Sequence, residues 1–486
     1  MGYVLEGSIR WERTPSHGNR VRVTPQLIRV LDDTHLWASV YDTTLADIFA
    51  VQSAIAGKVS DALDVTLGDP ERQALGAQPT KNLDAYGFYL RGLDHLTRSY
   101  TEQDMRAAVA QFEQAVRVDP NFALAYARLA SAHDNLYWFL ESTAERLASV
   151  KRAADRALEL DPNLPEGHLA LGFYYYHGHL DYDHALEQFT LAERRQPNNS
   201  EMAAAIGFVQ RRQGKWEEAL ASLRKAADLD PRSNENMENL GETFLALGRL
   251  PEAEQYFDRA QSLTPDWAFI YVYRGWLALA GSGDVDRARR VLAEGATHVA
   301  VVDLLVEVSR LGLAGPPFVR LLDDSYREQL VALGPQAFGS DSAGYYLARA
   351  TALSTFHQAR EARANFDSVR VILEPKNRKK PDDPFTHAIL GIAYAGLGRK
   401  NEAIREGRQA LSLRPISLDR YSGPSFVARL AEIYVMVGEY DAAIDQLAIV
   451  VSVPGDLKVT APLLRIDPIW APLRGNPRFE RLLSGK

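Results

Sequence analysis

Two patterns of apolar and polar positions divide the chain. Tyr3-Val-Leu-Glu-Gly-Ser-Ile-Arg alternates apolar and polar residues, the period-2 signature of a half-buried strand. After a loop containing Pro15, Gly18 and Asn19, a second alternating run starts at Val21-Arg-Val-Thr and continues through Leu27 to Val30. Asp32-Asp33 marks a turn before a short third strand, Leu36-Trp-Ala-Ser-Val. From Thr44 the spacing changes: Leu45, Ile48, Phe49, Gln52, Ile55, Val59 and Leu63 fall near one face of a helix. The result is a small α/β element over residues 1–68. It has few apolar residues and needs cover from another element.

After a linker at residues 69–83, the dominant signal is a repeat of 34 residues. Ala185, Ala219 and Ala253 keep that spacing, as do Phe189, Leu223 and Phe257, and Ala192, Ala226 and Ala260. Gly207, Gly241 and Gly275 sit near the start of successive units, and Pro197, Pro231 and Pro265 close them. Small residues belong where two antiparallel helices cross closely, a large apolar residue fills the space between them, and proline ends the second helix. Looser copies flank these units. Gly92, Ala108, Phe112, Ala115 and Pro120 make one, and Leu129, Ala130, Ala154, Ala157 and Pro162 the next. Ala288 and Leu292 continue the pattern for one degraded unit. Residues 84–300 therefore read as about six repeats, and residues 301–344 as an irregular helical break at Gly315-Pro316-Pro317.

Residues 345–452 resume as divergent helix pairs. A basic loop is expected at residues 376–380, and the motif returns at Gly391, Tyr394, Ala403, Ala410 and Pro415. Ala431, Tyr434, Ala443 and Leu447 give the last copy. Residues 453–486 read as a cap in which Ile469, Trp470, Leu473 and Phe479 cover the final pair. An array of about eight or nine pairs buries a continuous core that no single pair could.

The 34-residue motif resembles the tetratricopeptide repeat. That resemblance implies a mainly α fold, a right-handed superhelix of helical hairpins whose concave side is lined by the first (A) helix of each pair. It also implies a peptide or protein partner held there. In this register the groove-facing positions are Phe173 and Tyr176, Phe208 and Arg211, Glu242 and Leu245, and Trp276 and Leu279. The expected partner has apolar anchors near Phe173, Phe208 and Trp276 and a basic group near Glu238 and Glu242. The alternative is that these rings pack between neighbouring A helices. The Lys/Asn clamp by which chaperone-binding relatives hold a C-terminal carboxylate is not matched by these residues.

The N-terminal element resembles the second half of a TolB-like domain, through Tyr3-Val-Leu-Glu-Gly-Ser, Arg22-Val-Thr-Pro-Gln-Leu-Ile, His35-Leu-Trp-Ala, Tyr41-Asp and Asp47-Ile-Phe-Ala-Val-Gln. Such domains accompany bacterial adenylate cyclases, Ser/Thr kinases and CadC-type regulators. The resemblance implies a downstream fragment of a larger regulatory protein, or the product of an internal start, without the parent's effector module. It also implies an open strand edge, which pairs with a second copy to form a homodimer or packs on the first repeat helices.

Composition narrows the chemistry. The 486 residues contain no cysteine, which excludes a disulfide framework, thiolate metal sites and a cysteine nucleophile. A net charge of −8 disfavours nucleic-acid binding by bulk charge. The richest apolar stretch, residues 268–281, is interrupted by Arg274, and no signal peptide is visible, so a cytoplasmic location is expected, or a periplasmic one for a full-length parent. His177, His179 and His184 lie with Asp181 and Asp183 in a metal-like cluster, but at an interhelical turn that is polar in any such repeat, so no metal is expected. Ser340-Asp-Ser342-Ala-Gly344 resembles an esterase nucleophile elbow, giving a serine hydrolase using Ser342 as the alternative to a non-catalytic scaffold. Neither a phosphate loop nor a dinucleotide fingerprint occurs, and no cofactor is expected.

Overall fold

The computed structural model describes residues 2–14, 18–44, 48–64, 78–98, 101–314 and 318–484. It forms two compact units, Met1–Pro197 and Asn198–Lys486.

The first unit opens with an antiparallel sheet of β1 (Tyr3–Thr14), β2 (Gly18–Arg29), β3 (Thr34–Ala38) and β4 (Tyr41–Thr44). β1 pairs with β2 from Tyr3↔Arg29 to Thr14↔Gly18, and the other edge of β2 takes both β3 and β4. The sequence reading lacked β4, because Tyr41-Asp-Thr-Thr is too short to show alternation; its pairing with residues 20–23 makes it a strand. Helix α1 (Ile48–Ala62) covers the β2 side, where Val21, Val23 and Val51 form a small core. Leu5 and Ile9 stand opposite Leu27 and Val23 in register, yet remain 50% and 57% exposed. The Phe49 ring meets Tyr86 of the first repeat helix at 4.6 Å, so the element packs on that helix through α1.

Three helical hairpins follow: α2 (Leu83–Arg98) with α3 (Glu102–Val118), α4 (Ala123–Phe139) with α5 (Ala144–Leu160), and α6 (Pro165–Gly178) with α7 (Tyr182–Arg195). Thr101, Thr143 and Asp181 cap α3, α5 and α7, their side-chain oxygens accepting N–H groups left unpaired in the first turn. The small-against-large rule is visible at Gly172: a Cβ there would collide with the Phe189 ring, so only glycine lets α6 and α7 approach this closely.

The second unit continues with α8 (Ser200–Gln213) and α9 (Trp216–Leu229), α10 (Asn234–Ala246) and α11 (Leu250–Leu263), and α12 (Ala268–Ser282) and α13 (Val285–Gly295). Gly241 faces Phe257 as Gly172 faces Phe189. At Gly275 the ring comes instead from Phe318, on a 3-10 turn after α14 (Val301–Ala314). Helix α15 (Asp324–Ala332) precedes three further pairs: α16 (Ser342–Thr355) with α17 (Ala359–Lys379), α18 (Pro384–Gly396) with α19 (Lys400–Leu413), and α20 (Gly423–Met436) with α21 (Tyr440–Ser452). The basic run expected as a loop is the last turn of α17, which continues through Pro375. A lysine-rich final turn complements the negative end of the helix dipole, and proline there removes one backbone bond without ending the helix. The tail forms α22 (Ala461–Ile466), a 3-10 turn and α23 (Pro477–Ser484), with Trp470, Leu473 and Phe479 buried against α20 and α21.

Candidate binding surface

In the first unit the A helices α4 and α6 present a continuous aromatic stack. The Trp138 ring lies 4.1 Å from the His177 ring, His177 lies 5.3 Å from Phe173, and Phe173 meets Phe189 edge-on at 5.0 Å. His177 Nδ1 is 2.8 Å from Oδ2 of the buried Asp134, which fixes the imidazole in the stack. Trp138, Phe139 and Leu140 end α4 with exposed apolar surface. Phe173 is half-buried, whereas Tyr176 is buried against Tyr182 at 5.7 Å.

The three histidines of the turn have separate partners. His177 takes Asp134, the His179 ring meets Tyr174 at 4.7 Å, and His184 Nδ1 lies 2.6 Å from Asp181 Oδ2. Among the described residues no group of three His, Asp or Glu side chains is placed to hold a metal ion. The Asp181 hydrogen bond and charge raise the His184 pKa, while burial, with the charges of Arg146 and Arg152, pushes His133 down to about 4.

In the second unit the same register positions meet other parts of the chain. Arg211 donates to Thr243 Oγ1 at 3.3 Å, Glu242 Oε2 at 3.4 Å and Asn239 Oδ1 at 3.4 Å. Its guanidinium lies 3.9 Å over the Tyr421 ring, and the Tyr421 hydroxyl donates to Glu242 Oε2 at 2.9 Å. Next to it, Arg212 donates to Asp419 Oδ2 and Ser422 Oγ, both at 2.7 Å. Burial alone would raise the Asp419 pKa; the Arg212 charge, the Ser422 N–H and the Arg414 charge outweigh it and hold the carboxyl below its usual value. Glu238 is pushed well up, first by burial and then by the neighbouring Glu242 charge. Phe208 is half-buried, with Arg211 5.6 Å from its ring. Trp276 is fully buried against Phe318 at 6.1 Å, so it packs within the repeat core.

A second buried network had no sequence signal. Arg320 donates to both oxygens of Asp467, at 2.8 and 2.7 Å, and to Glu432 at 2.5 Å, and Glu432 also accepts from Arg429. These residues tie the turn after α14, helix α20 and the tail together. Ser342 is the first residue of α16, whose N-cap is Asp341. The segment before it is a 3-10 turn, Pro335–Phe338, rather than the strand a nucleophile elbow requires.

The hairpins of α6 to α11, with glycine against a large apolar side chain at each crossing, coincide with a match to the tetratricopeptide repeat family model over residues 174–234 and 205–266. Residues 174–266 are tetratricopeptide repeats. The chain is also 30% identical over 171 residues to putative adenylate cyclase 3 of Rhizobium meliloti (strain 1021), a stretch covering 35% of this chain and only 28% of that protein. Among solved structures, Pseudomonas aeruginosa PilF is similar at 19% identity and a TM-score of 0.34, over 43% of this chain and 90% of that one. A thermophilic tetratricopeptide repeat protein of Thermus thermophilus is similar at 20% identity and a TM-score of 0.33, over 43% and 98%. YrrB, described as having an unusual peptide-binding site, is similar at 22% identity and a TM-score of 0.28, over 38% and 91%. Scores at this level leave the repeat assignment to the family match and the hairpin geometry.

Proposed function

We propose that this chain is a non-catalytic protein–protein interaction scaffold from a bacterial signalling or transcription-regulating protein, binding a partner segment on its A-helix faces. The observation that carries the reading is the stack of Trp138, His177 and Phe173, which ends in the exposed apolar surface of residues 138–140. Large rings held in place by neighbours bury much area at low entropic cost, as interface anchors do. A basic partner group directed at Glu238 and Glu242 competes with Tyr421, which already donates to Glu242.

The regulatory context is supported by the TolB-like resemblance of the N-terminal element and by the stretch shared with a putative adenylate cyclase. The cyclisation reaction named in that relative is not assigned to this chain. The uncovered β1 edge, with Tyr3, Leu5 and Ile9 exposed, is the surface assigned to a second copy, and a light-scattering mass of one chain would withdraw that assignment.

The test of the scaffold reading is affinity capture from the native host with the immobilised full chain, beside a Trp138→Ala, Phe173→Ala double variant. Retention of the captured partner falls at least about tenfold in the variant, consistent with loss of a hot spot, while far-ultraviolet circular dichroism is unchanged. Equal retention by both proteins would refute binding at this face.

A further inference from the structure

Helix α19 lines a groove of about 700 Å³ together with Tyr434 of α20 and Ala442 of α21. Asn401, Arg405, Arg408 and Ser412 follow one another along it at steps of three or four residues. That spacing stacks side chains on a single helix face, so α19 turns a whole polar face to the groove.

Both arginines are held from behind. Arg408 Nε donates to the Tyr434 hydroxyl at 3.0 Å, and the guanidinium lies 5.9 Å from the ring. This bond orients the guanidinium and leaves its two terminal nitrogens without a partner among the described residues. The hydroxyl, having accepted one bond, keeps its own proton to donate. Arg405 donates through Nε and Nη2 to Glu406 Oε1, at 3.2 and 2.9 Å, and keeps Nη1. Glu406 is buried and fixed in turn: His387 Nδ1 is 2.6 Å from its Oε2, and His387 Nε2 is 2.8 Å from the Pro381 carbonyl. The first unit has the same histidine arrangement without the charge, with His168 2.8 Å from Gln188 Oε1 and 3.1 Å from the Pro162 carbonyl. What α19 adds is an acid in place of the neutral amide and an exposed arginine fastened to it.

The charges of the groove do not balance. Glu406 offsets Arg405, and Glu439 is taken by Lys400 at 2.5 Å. Arg408 has no acidic partner among the described residues, whereas Arg370, Arg399 and Arg478 each have one. The donors left over are the Arg408 terminal nitrogens, Arg405 Nη1, the Tyr434 hydroxyl and the side-chain amides of Asn401 and Gln409. Surplus donors around an unpaired guanidinium call for an oxyanion. Donors from several side chains on two helices suit a tetrahedral phosphate with three oxygens better than a planar carboxylate with two. The groove is also larger than a bare phosphate, and Ile404 and Ala442 give it apolar wall for a small organic body.

We propose that this groove binds a small phosphate monoester. Arg408, Arg405 and the Tyr434 hydroxyl take the phosphate oxygens, and Ile404 and Ala442 take the organic part. The site lies wholly in the second unit and does not depend on the scaffold reading above.

Calorimetric titration of the full chain at low salt tests it, with glycerol 3-phosphate, inorganic phosphate and acetate as the probes. Glycerol 3-phosphate saturates one site per chain, inorganic phosphate binds several-fold more weakly, and acetate at least about tenfold more weakly. Arg408→Gln weakens glycerol 3-phosphate at least about tenfold, and Arg408→Lys, which keeps the charge without the fork, recovers part of the loss. Tyr434→Phe keeps the ring and weakens binding several-fold. Arg360→Gln removes an exposed cation of α17 and leaves the affinity unchanged. Far-ultraviolet circular dichroism of each variant matches the parent chain. The proposal is overturned if glycerol 3-phosphate does not saturate, if inorganic phosphate or acetate binds as tightly, or if folded Arg408→Gln binds like the parent. Equal weakening by Arg360→Gln would mean attraction by bulk charge and would overturn it too. None of these results touches the scaffold reading, which stands on partner retention by the first unit.

Discussion

The ends of α8, α10 and α12 in the second unit are covered by distant parts of the same chain, while in the first unit Trp138, Phe139 and Leu140 at the end of α4 stay exposed. The hairpin geometry beneath is the same in both, glycine on one helix against a large side chain on the next, at Gly172 with Phe189 and at Gly241 with Phe257. The difference therefore lies in what was added to the hairpins. The second unit buries several ion pairs: Arg211 with Glu242, Arg212 with Asp419, and Arg320 with Asp467 and Glu432. The first unit has rings instead, which tolerate water at one edge. A repeat face lined with buried ion pairs needs a permanent partner to complete them, whereas a face lined with aromatics can wait for one.

The largest expected effect separates the two units by stability. Arg320→Ala leaves Asp467 and Glu432 buried with their principal counter-ion gone, a loss of roughly 3–5 kcal/mol. Urea unfolding followed by peptide-resolved exchange shows residues 198–484 destabilised and α2 to α7 unchanged. A loss below about 1 kcal/mol, the range of an exposed pair, would mean that the network is solvated.

Gly172→Ala and Gly241→Ala ask whether the underlying hairpins are equivalent. Each added methyl meets a phenylalanine ring, and each costs roughly 1–3 kcal/mol by overpacking. Denaturation midpoints should fall in both variants; a fall in only one would show that the crossings differ after all.

Trp138→Ala is expected to be mild for stability, about 1 kcal/mol for the lost ring stacking, because the ring is already 36% exposed. Its consequence is for partner retention. A large stability loss with unchanged retention would turn the exposed stack into ordinary core.

The smallest effect is electrostatic. Asp181 caps α7 and also holds the His184 imidazole, raising its pKa above the ordinary 6.5. A base whose pKa is raised on folding contributes its stability fully below the unfolded value and loses it as pH rises through the folded one. Exchange of the first-turn amides of α7 should quicken over that window, beyond the intrinsic rate, and His184→Gln should remove the response.

Much of the fold was legible because the repeat is local. The glycine-to-ring pairing spans one hairpin, for example residues 241 and 257, so period and residue size are enough to find it. The register put Arg211 and Glu242 on successive A helices but expected a partner's basic group at Glu242; the structure sets Arg211 itself 3.4 Å from it. The register could not locate Tyr421, which lies 179 residues from the Glu242 that it binds. Trp276 was assigned to the groove by its place after Gly275; Phe318, supplied from outside the hairpin, covers it instead. His177 was readable as part of a turn cluster, but its stacking on Trp138 was not.

Helix length, hairpin pairing and the close crossings follow from the order of residues alone, since apolar periodicity and small-residue spacing act over a few turns of chain. Which A-helix face is closed and which is open was decided only in three dimensions. The Arg320–Asp467 contact joins residues 147 apart, and the carbonyls of Arg212, Ala246 and Ala280 accept from Arg420 N–H, Gly455 N–H and the Thr460 hydroxyl, in two segments that share no period with the repeat. A backbone carbonyl is the same whatever its residue, so its partner leaves no trace in the pattern. Only when the chain has folded back, and the entropy of closing that long loop has been overcome, does the acceptor find its donor.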